Sequence, residues 1–453
     1  TDLDDIHPYR DYPHRENVLE EFKTTAPRGY SVFASEYGIG SAINLTRVVR
    51  GFEGLGRTDT GDARFFVNVL NSFMKDWNRL GMERTFASPD DYFDSAVGLM
   101  ARCRLFGMNA LRANPKLIGY SLTAGHDISC SGEGLVTYFR EPKKGAHDAV
   151  FDGFSPCRWC AFVEPMNVRN TAKVKISGVL VNEDVLKPGE YRARVTVFGE
   201  GARLYDETIP VTVKANSDSF VADSFEAEVP VNGAPEGTYK LKIVIAEGGH
   251  AVGEEEFYVY APEKQRSGEV VLAGDDPALK SFLTARGLAV RDWKDRKGGE
   301  VIIASVAIED LAAVMKAVEE GAKCVFLDGS AINEKPEVPG VGKFVHADMW
   351  LYHKDDTAMA NHPFFKGLPT GLMDAFRYRE VLRSFWWKGG ATPDDLAAVG
   401  FNTSNGYGCG VTLGGYKHGV GMFYINALRI REEIGISPVA ERILLNIIDA
   451  LIA

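Results

Sequence analysis

Apolar positions change their spacing twice along this chain of 453 residues, and each change marks a new kind of structure. Up to about residue 165, short apolar runs alternate with long helical stripes. Residues 3–9, 30–35 and 117–122 read as strands. Between the last two, Phe66, Leu70, Phe73, Trp77 and Leu80 recur at the spacing that gives a helix one apolar face. A second helix is predicted from Ser88-Pro89-Asp90-Asp91, where Ser88 suits the N-cap, Pro89 the first turn, and Asp91 a capping box. It runs through Val97 and Met100 toward Leu111, and Asn114-Pro115 ends it. Strand, helix and strand in this order imply parallel pairing.

From about Glu164 the period shortens to two. Residues 174–181, 191–197, 225–229 and 239–245 alternate apolar and polar side chains, with turns at Pro188-Gly189, Asn232-Gly233 and Glu236-Gly237. Short alternating strands at this spacing predict an immunoglobulin-like sandwich over residues 166–262, with no cysteine available for an intersheet disulfide. A polar linker follows at residues 262–268. Beyond it, buried-type strands at 269–274, 301–304 and 324–328 alternate with helical patterns at 277–286 and 308–320, and a last helix spans 438–452. That order predicts an open, doubly wound α/β domain over residues 263–453. The fold class expected is therefore multidomain, α/β plus all-β, with residues 1–165 forming a strand–helix domain of their own.

A net charge of −11 excludes nucleic acid and anionic membranes as partners, because no basic stripe is present to neutralise phosphates. No apolar run is long enough to cross a bilayer. The first residues, Thr1-Asp2-Leu3, lack an initiator Met, so a processed or truncated start is expected, with any export signal upstream of it. The six cysteines (103, 130, 157, 160, 324 and 409) make neither a disulfide scaffold nor a zinc-like double pair. Cys157-Arg158-Trp159-Cys160 reads as a helix end packing two small apolar groups. No metal is predicted, and no cofactor is required.

The candidate chemistry lies at the end of the second strand. There the run Ser31-Val32-Phe33-Ala34-Ser35 passes directly into Glu36-Tyr37-Gly38-Ile39-Gly40. A β-prone run ending on a carboxylate and then glycines describes a barrel strand delivering an acid to its C-terminal rim. Asp5-Ile6-His7-Pro8-Tyr9 ends the strand before it. Leu117 to Leu122 leads into Thr123-Ala124-Gly125-His126-Asp127 and Gly132-Glu133-Gly134 after it.

Ser-Glu-Tyr-Gly, with His-x-Tyr one strand earlier, resembles the nucleophile region of retaining glycoside hydrolases of family 2, the β-galactosidase and β-glucuronidase type. The resemblance implies the C-terminal part of a (β/α)8 barrel. It implies Glu36 as nucleophile, Tyr9 as a hydrogen-bond donor to it, and His7 on the substrate side. His126, Asp127, Glu133 and Tyr37 are the expected contacts to sugar hydroxyls. Two departures stand out. Leu122, Thr123 and Ala124 occupy the place where many relatives carry a Trp platform. The acid/base Glu, expected on an earlier barrel strand, is not in this sequence, so a second polypeptide or an N-terminal portion is the expected partner that completes the barrel. The stretch 44–94 reads as an added helical hairpin, shaping a subsite or an oligomer contact.

Residues 263–453 resemble the flavodoxin-like, class I glutamine-amidotransferase-like domain appended to some such enzymes, through His362-Pro363-Phe364-Phe365-Lys366-Gly367-Leu368-Pro369 and residues 438–446. An active amidotransferase needs a Cys on a strand-to-helix elbow. Cys324 lies within a strand run, and strand-like residues follow Gly408-Cys409-Gly410, so no catalysis is expected here. The reading that follows is an exo-β-glycosidase acting on a glycoside, inactive as this chain alone. The alternative is a non-catalytic carbohydrate-binding or assembly subunit. Homo-oligomers fit either.

Overall fold

Two parallel pairings bring the candidate residues together. The computed structural model describes residues 2–10, 12–215, 217–245, 251–305, 308–347, 354–403 and 406–453. It is a mixed α/β chain with several β-sheets, divided into two compact units. The first comprises Thr1–Ser41, Val97–Pro262 and Asp374–Arg379; the second comprises Ala42–Ala96, Glu263–Met373 and Glu380–Ala453.

In the first unit, β1 (Leu3–Ile6), β2 (Ser31–Tyr37) and β3 (Leu117–Leu122) form a three-stranded sheet in that order. Both pairings are parallel. β1 is shorter than its apolar run because Pro8 has no N–H to give the ladder, and Tyr9 N–H turns back to the His7 carbonyl at 2.8 Å. On β2, Val32 and Ala34 are buried with Leu117, and Ile6, Ala26 and Tyr120 pack against them. The register then slips. Ala34 is opposite Tyr120 but Tyr37 is opposite Leu122, so β2 holds one residue more than β3 over this step. Such a bulge re-aims a side chain. Here it moves the buried face from even to odd positions, so Tyr37 is buried while Ser35 and Glu36 are only partly covered.

The same unit contains two largely antiparallel sheets around one core, with only the short edge strand Asn167–Arg169 paired in parallel among the described residues. Cys157–Glu164, Lys173–Asn182 and Val221–Pro230 make the smaller sheet. The larger runs Asn167–Arg169, Val252–Tyr260, Gly237–Ile245, Gly189–Gly199 and Ala202–Val213. Tyr239, Leu241, Ile243 and Ile245 are each 0% exposed, and meet Trp159, Val174 and Ile176 of the other sheet. Each such aliphatic side chain contributes about 1.5–3 kcal/mol on burial. Lys240 and Lys242, on the opposite face, pair with Glu254. Cys157 and Cys160 lie on a strand, correcting the helix end expected for them. Both are buried free thiols, and burial pushes both above the usual thiol range.

Among the described residues, the second unit is built on an eleven-stranded sheet. Ala289–Asp292, Glu269–Ala273, Val301–Ala304, Lys323–Phe326 and Gly421–Asn426 pair in parallel. Gly408–His418, Asp395–Asn402 and Asp355–Ala358 extend it antiparallel. Most of this antiparallel half was not visible in the apolar spacing, because glycines interrupt 408–418 and Asp355–Ala358 carries a single apolar residue. Those glycines make room for rings. A Cβ at Gly410 would meet the Trp386 ring at 2.6 Å, one at Gly408 at 2.8 Å, and one at Gly415 the Tyr424 ring at 2.5 Å. Helices Leu45–Gly54 and Gly61–Leu80 belong to this unit, with Phe73 5.4 Å from Phe401 and Tyr407 donating to Asp76 at 2.7 Å.

Candidate functional site

The ends of β1, β2 and β3 assemble a polar cluster around Glu36. Register places Ile6 opposite Ala34, so His7 and Tyr9 emerge beside Ser35 and Glu36. Tyr9 donates its hydroxyl proton to Glu36 Oε2 at 2.8 Å. Thr123, just past β3, lies 2.5 Å from the same phenolic oxygen. His7 Nδ1 is 3.7 Å from Glu36 Oε2, outside hydrogen-bond distance, while its Nε2 meets Ser35 Oγ at 3.0 Å and Asp5 Oδ2 at 3.9 Å. The Glu36 side chain is 45% exposed. Burial, together with the negative charges of Glu36 and Glu133, pushes the Tyr9 phenol up to about 12, so it is a hydrogen-bond donor at neutral pH.

Glu133 is the second carboxyl of the cluster. It is 6% exposed, and its Oε1 is buried without a hydrogen-bond partner. Burial, reinforced by Glu36 and Asp127 and opposed by Arg104 and Lys143, pushes it up to about 7. The loop carrying it is clamped from both sides. Arg104, from helix Pro89–Arg112, donates to the carbonyls of Glu133 at 2.7 Å and Ile39 at 2.8 Å. Ser41 Oγ donates to the Gly132 carbonyl at 3.0 Å. Lys143 donates to Asp127 at 2.9 Å and to the Gly132 carbonyl at 2.6 Å, and Gly134 N–H donates to Asp127 at 2.9 Å. Gly38 and Gly134 allow this close approach. A Cβ on the first would overlap the Glu133 carboxyl, and one on the second the backbone at His126 and Asp127.

Two expected contacts are corrected. Tyr37 is 0% exposed and donates its hydroxyl to the Arg104 carbonyl at 3.0 Å. The bulge turns it to the helix side, where it anchors β2 instead of facing a sugar. Asp127 is 2% exposed and committed to Lys143 and Gly134. Burial pushes it up and Lys143 down, each opposed by the partner charge. It shapes the Glu133 loop instead of binding hydroxyls. His126 is exposed on the same loop. Glu36, Tyr9, His7 and Glu133 are brought together.

Sequence reasoning missed Arg104, Lys143 and the role of Thr123. Arg104 had a signal, a cation four residues after Met100 on an apolar helix face. Lys143 and Thr123 had none, since their partners are distant in sequence. In the second unit, Cys324 and Cys409 are held well above the usual thiol range, both by burial and Cys409 also by Asp76. Neither occupies a strand-to-helix elbow. Among the described residues no group of His, Cys, Asp and Glu could hold a metal ion, and no helix is long and apolar enough to cross a membrane.

No family model and no curated protein matches the chain. Among solved structures, it aligns with the sensor domain of the anti-sigma factor RsgI4 of Pseudobacteroides cellulosolvens at 12% identity, over 24% of this chain and 99% of that one. A Paenibacillus cycloisomaltooligosaccharide glucanotransferase complexed with cycloisomaltoheptaose aligns at 11% identity, over 37% of this chain and 19% of that one. The CARDB domain of the PF1109 protein of Pyrococcus furiosus aligns at 13% identity, over 24% and 98%. All three have a TM-score of 0.18, and likeness at that level carries no argument about this chain.

Proposed function

We propose that this chain carries the nucleophile half of a retaining exo-β-glycosidase resembling glycoside hydrolase family 2. The observation that carries the reading is the Tyr9 to Glu36 hydrogen bond at 2.8 Å, made across two adjacent parallel strands at their C-terminal ends. In this reading β1, β2 and β3 are consecutive strands of a (β/α)8 barrel. Cys157–Glu164 to Val252–Tyr260 form an immunoglobulin-like sandwich, and residues 263–453 a flavodoxin-like domain without catalysis of its own.

Double displacement requires two carboxyl groups roughly 5 Å apart across the anomeric carbon. Glu36 attacks that carbon and forms the glycosyl-enzyme. The opposing acid/base protonates the departing oxygen and then draws a proton from the water that releases the sugar. That acid/base comes from polypeptide pairing at the outer edges of β1 and β3, where this sheet ends. Tyr9 holds Glu36 in place, His7 lies beside it, and Glu133 and His126 offer polar contacts to the sugar.

The test is labelling of the assembled protein with a 2-deoxy-2-fluoro glycoside, followed by peptide mapping. Covalent sugar on residues 30–40, absent in Glu36→Gln, is the expected result. Label on another peptide, or full turnover by Glu36→Gln, overturns the assignment.

A further inference from the structure

The Tyr9 hydroxyl has one proton and two oxygen neighbours. An ionised Glu36 only accepts, so the phenolic proton points to Glu36 Oε2 and the phenolic oxygen is left to accept. The atom in position to donate to it is Thr123 Oγ1, 2.5 Å away. Thr123 is held there by its backbone: its N–H bonds to the Tyr37 carbonyl at 3.0 Å, at the last paired position of β2 and β3. The next residue, Ala124, has φ +58°. A left-handed alanine costs roughly 1–2 kcal/mol, and it turns the chain sharply as soon as Thr123 is in place. The charged or titratable groups facing Glu36 are His7 just past β1, Asp5 of β1 behind His7, Tyr9, and Glu133 from the clamped loop. Of these, Tyr9 alone is within hydrogen-bond distance among the described residues.

We infer that Thr123 is a positioning residue for Glu36, acting through Tyr9: its hydroxyl donates to the phenolic oxygen and so commits the phenolic proton to the Glu36 carboxylate. The inference rests on Glu36 being the nucleophile for its effect on rate, but not for its effect on Tyr9. Thr123→Val keeps the shape and removes the donor, and Thr123→Ser restores it. With Tyr labelled at 13Cζ, and the Tyr9 signal assigned by its loss in Tyr9→Phe, Thr123→Val is expected to move that signal while Thr123→Ser leaves it in place. In glycoside hydrolysis by the assembled protein, Thr123→Val is expected to lower kcat about tenfold at unchanged KM, the worth of one hydrogen bond. Thr123→Ser should stay within about twofold of the parent.

An unmoved Tyr9 signal in Thr123→Val, or equal impairment of the Ser and Val variants, overturns the inference. If the parent hydrolyses no glycoside, the proposed function fails, and the Tyr9 signal still decides the role of Thr123.

Discussion

Gly38 and the Glu133 carboxyl occupy adjoining space so closely that a single methyl group at position 38 would overlap Glu133 Oε1. The two belong to different loops. Gly38 follows β2, and Glu133 lies in the segment clamped by Arg104, Ser41 and Lys143. The clamp holds the loop backbone in place, so a methyl group at position 38 is accommodated only by turning the buried Glu133 side chain.

Gly38→Ala is therefore expected to destabilise the protein by about 1–3 kcal/mol, the usual cost of overpacking. Adding Glu133→Ala should relieve most of it. A double-mutant cycle in urea with coupling of about 1 kcal/mol or more is the expected outcome. Additive effects would show that the two residues do not meet.

The protonation of Glu133 makes stability depend on pH. Its folded value of about 7 lies above the ordinary glutamate value of 4.5. The folded state therefore binds the proton more tightly than the unfolded chain. The contribution is fully present below about pH 4.5 and is lost as pH rises through about 7. Between pH 5 and pH 8 the parent should lose stability relative to Glu133→Gln, on the order of 1–3 kcal/mol. Parallel urea midpoints for the two proteins across that range would rule out titration of Glu133 there.

Asp127 and Lys143 are a buried pair, at 3% and 4% side-chain exposure. Removing either charge alone strands the other, at a cost of about 3–5 kcal/mol. Asp127→Asn and Lys143→Met should each lower the melting temperature markedly. The double variant should recover part of the loss. Calorimetry on the three variants checks this, and equal, additive losses would contradict it.

The second unit's thiols should be inert. Cys324 is fully buried inside a parallel strand, and Cys409 is held up by burial and by Asp76. Iodoacetamide at pH 7.5 is expected to modify both much more slowly than free cysteine. Rapid alkylation of either would reopen thiol chemistry in this region.

Several elements are legible in the sequence itself. The last helix runs Pro438–Ile452 as its stripe predicts, and Ser88 caps its helix, accepting from Asp91 N–H at 3.3 Å. The alternating strands at 173–182 and 237–245 follow from period two, because each side chain answers locally to core or water. Cys157–Glu164 was not legible as a strand. Seven of its eight residues are buried, so it shows no alternation.

At the site, the chain order alone set which residues arrive together: His7 and Tyr9 end one strand, and Glu36 ends the next. Strict alternation, though, would place Glu36 on the buried face with Val32 and Ala34. The bulge between Ala34 and Tyr37 reverses that, bringing Glu36 to the open side and burying Tyr37. A bulge is a property of pairing with a second strand and leaves no mark in one strand's own sequence. The same holds for Thr123, Asp127 and Lys143, whose roles depend on partners far along the chain. Local propensity and periodicity determined the elements and the Glu36 strand; register, clamping and burial decided which side chains surround it.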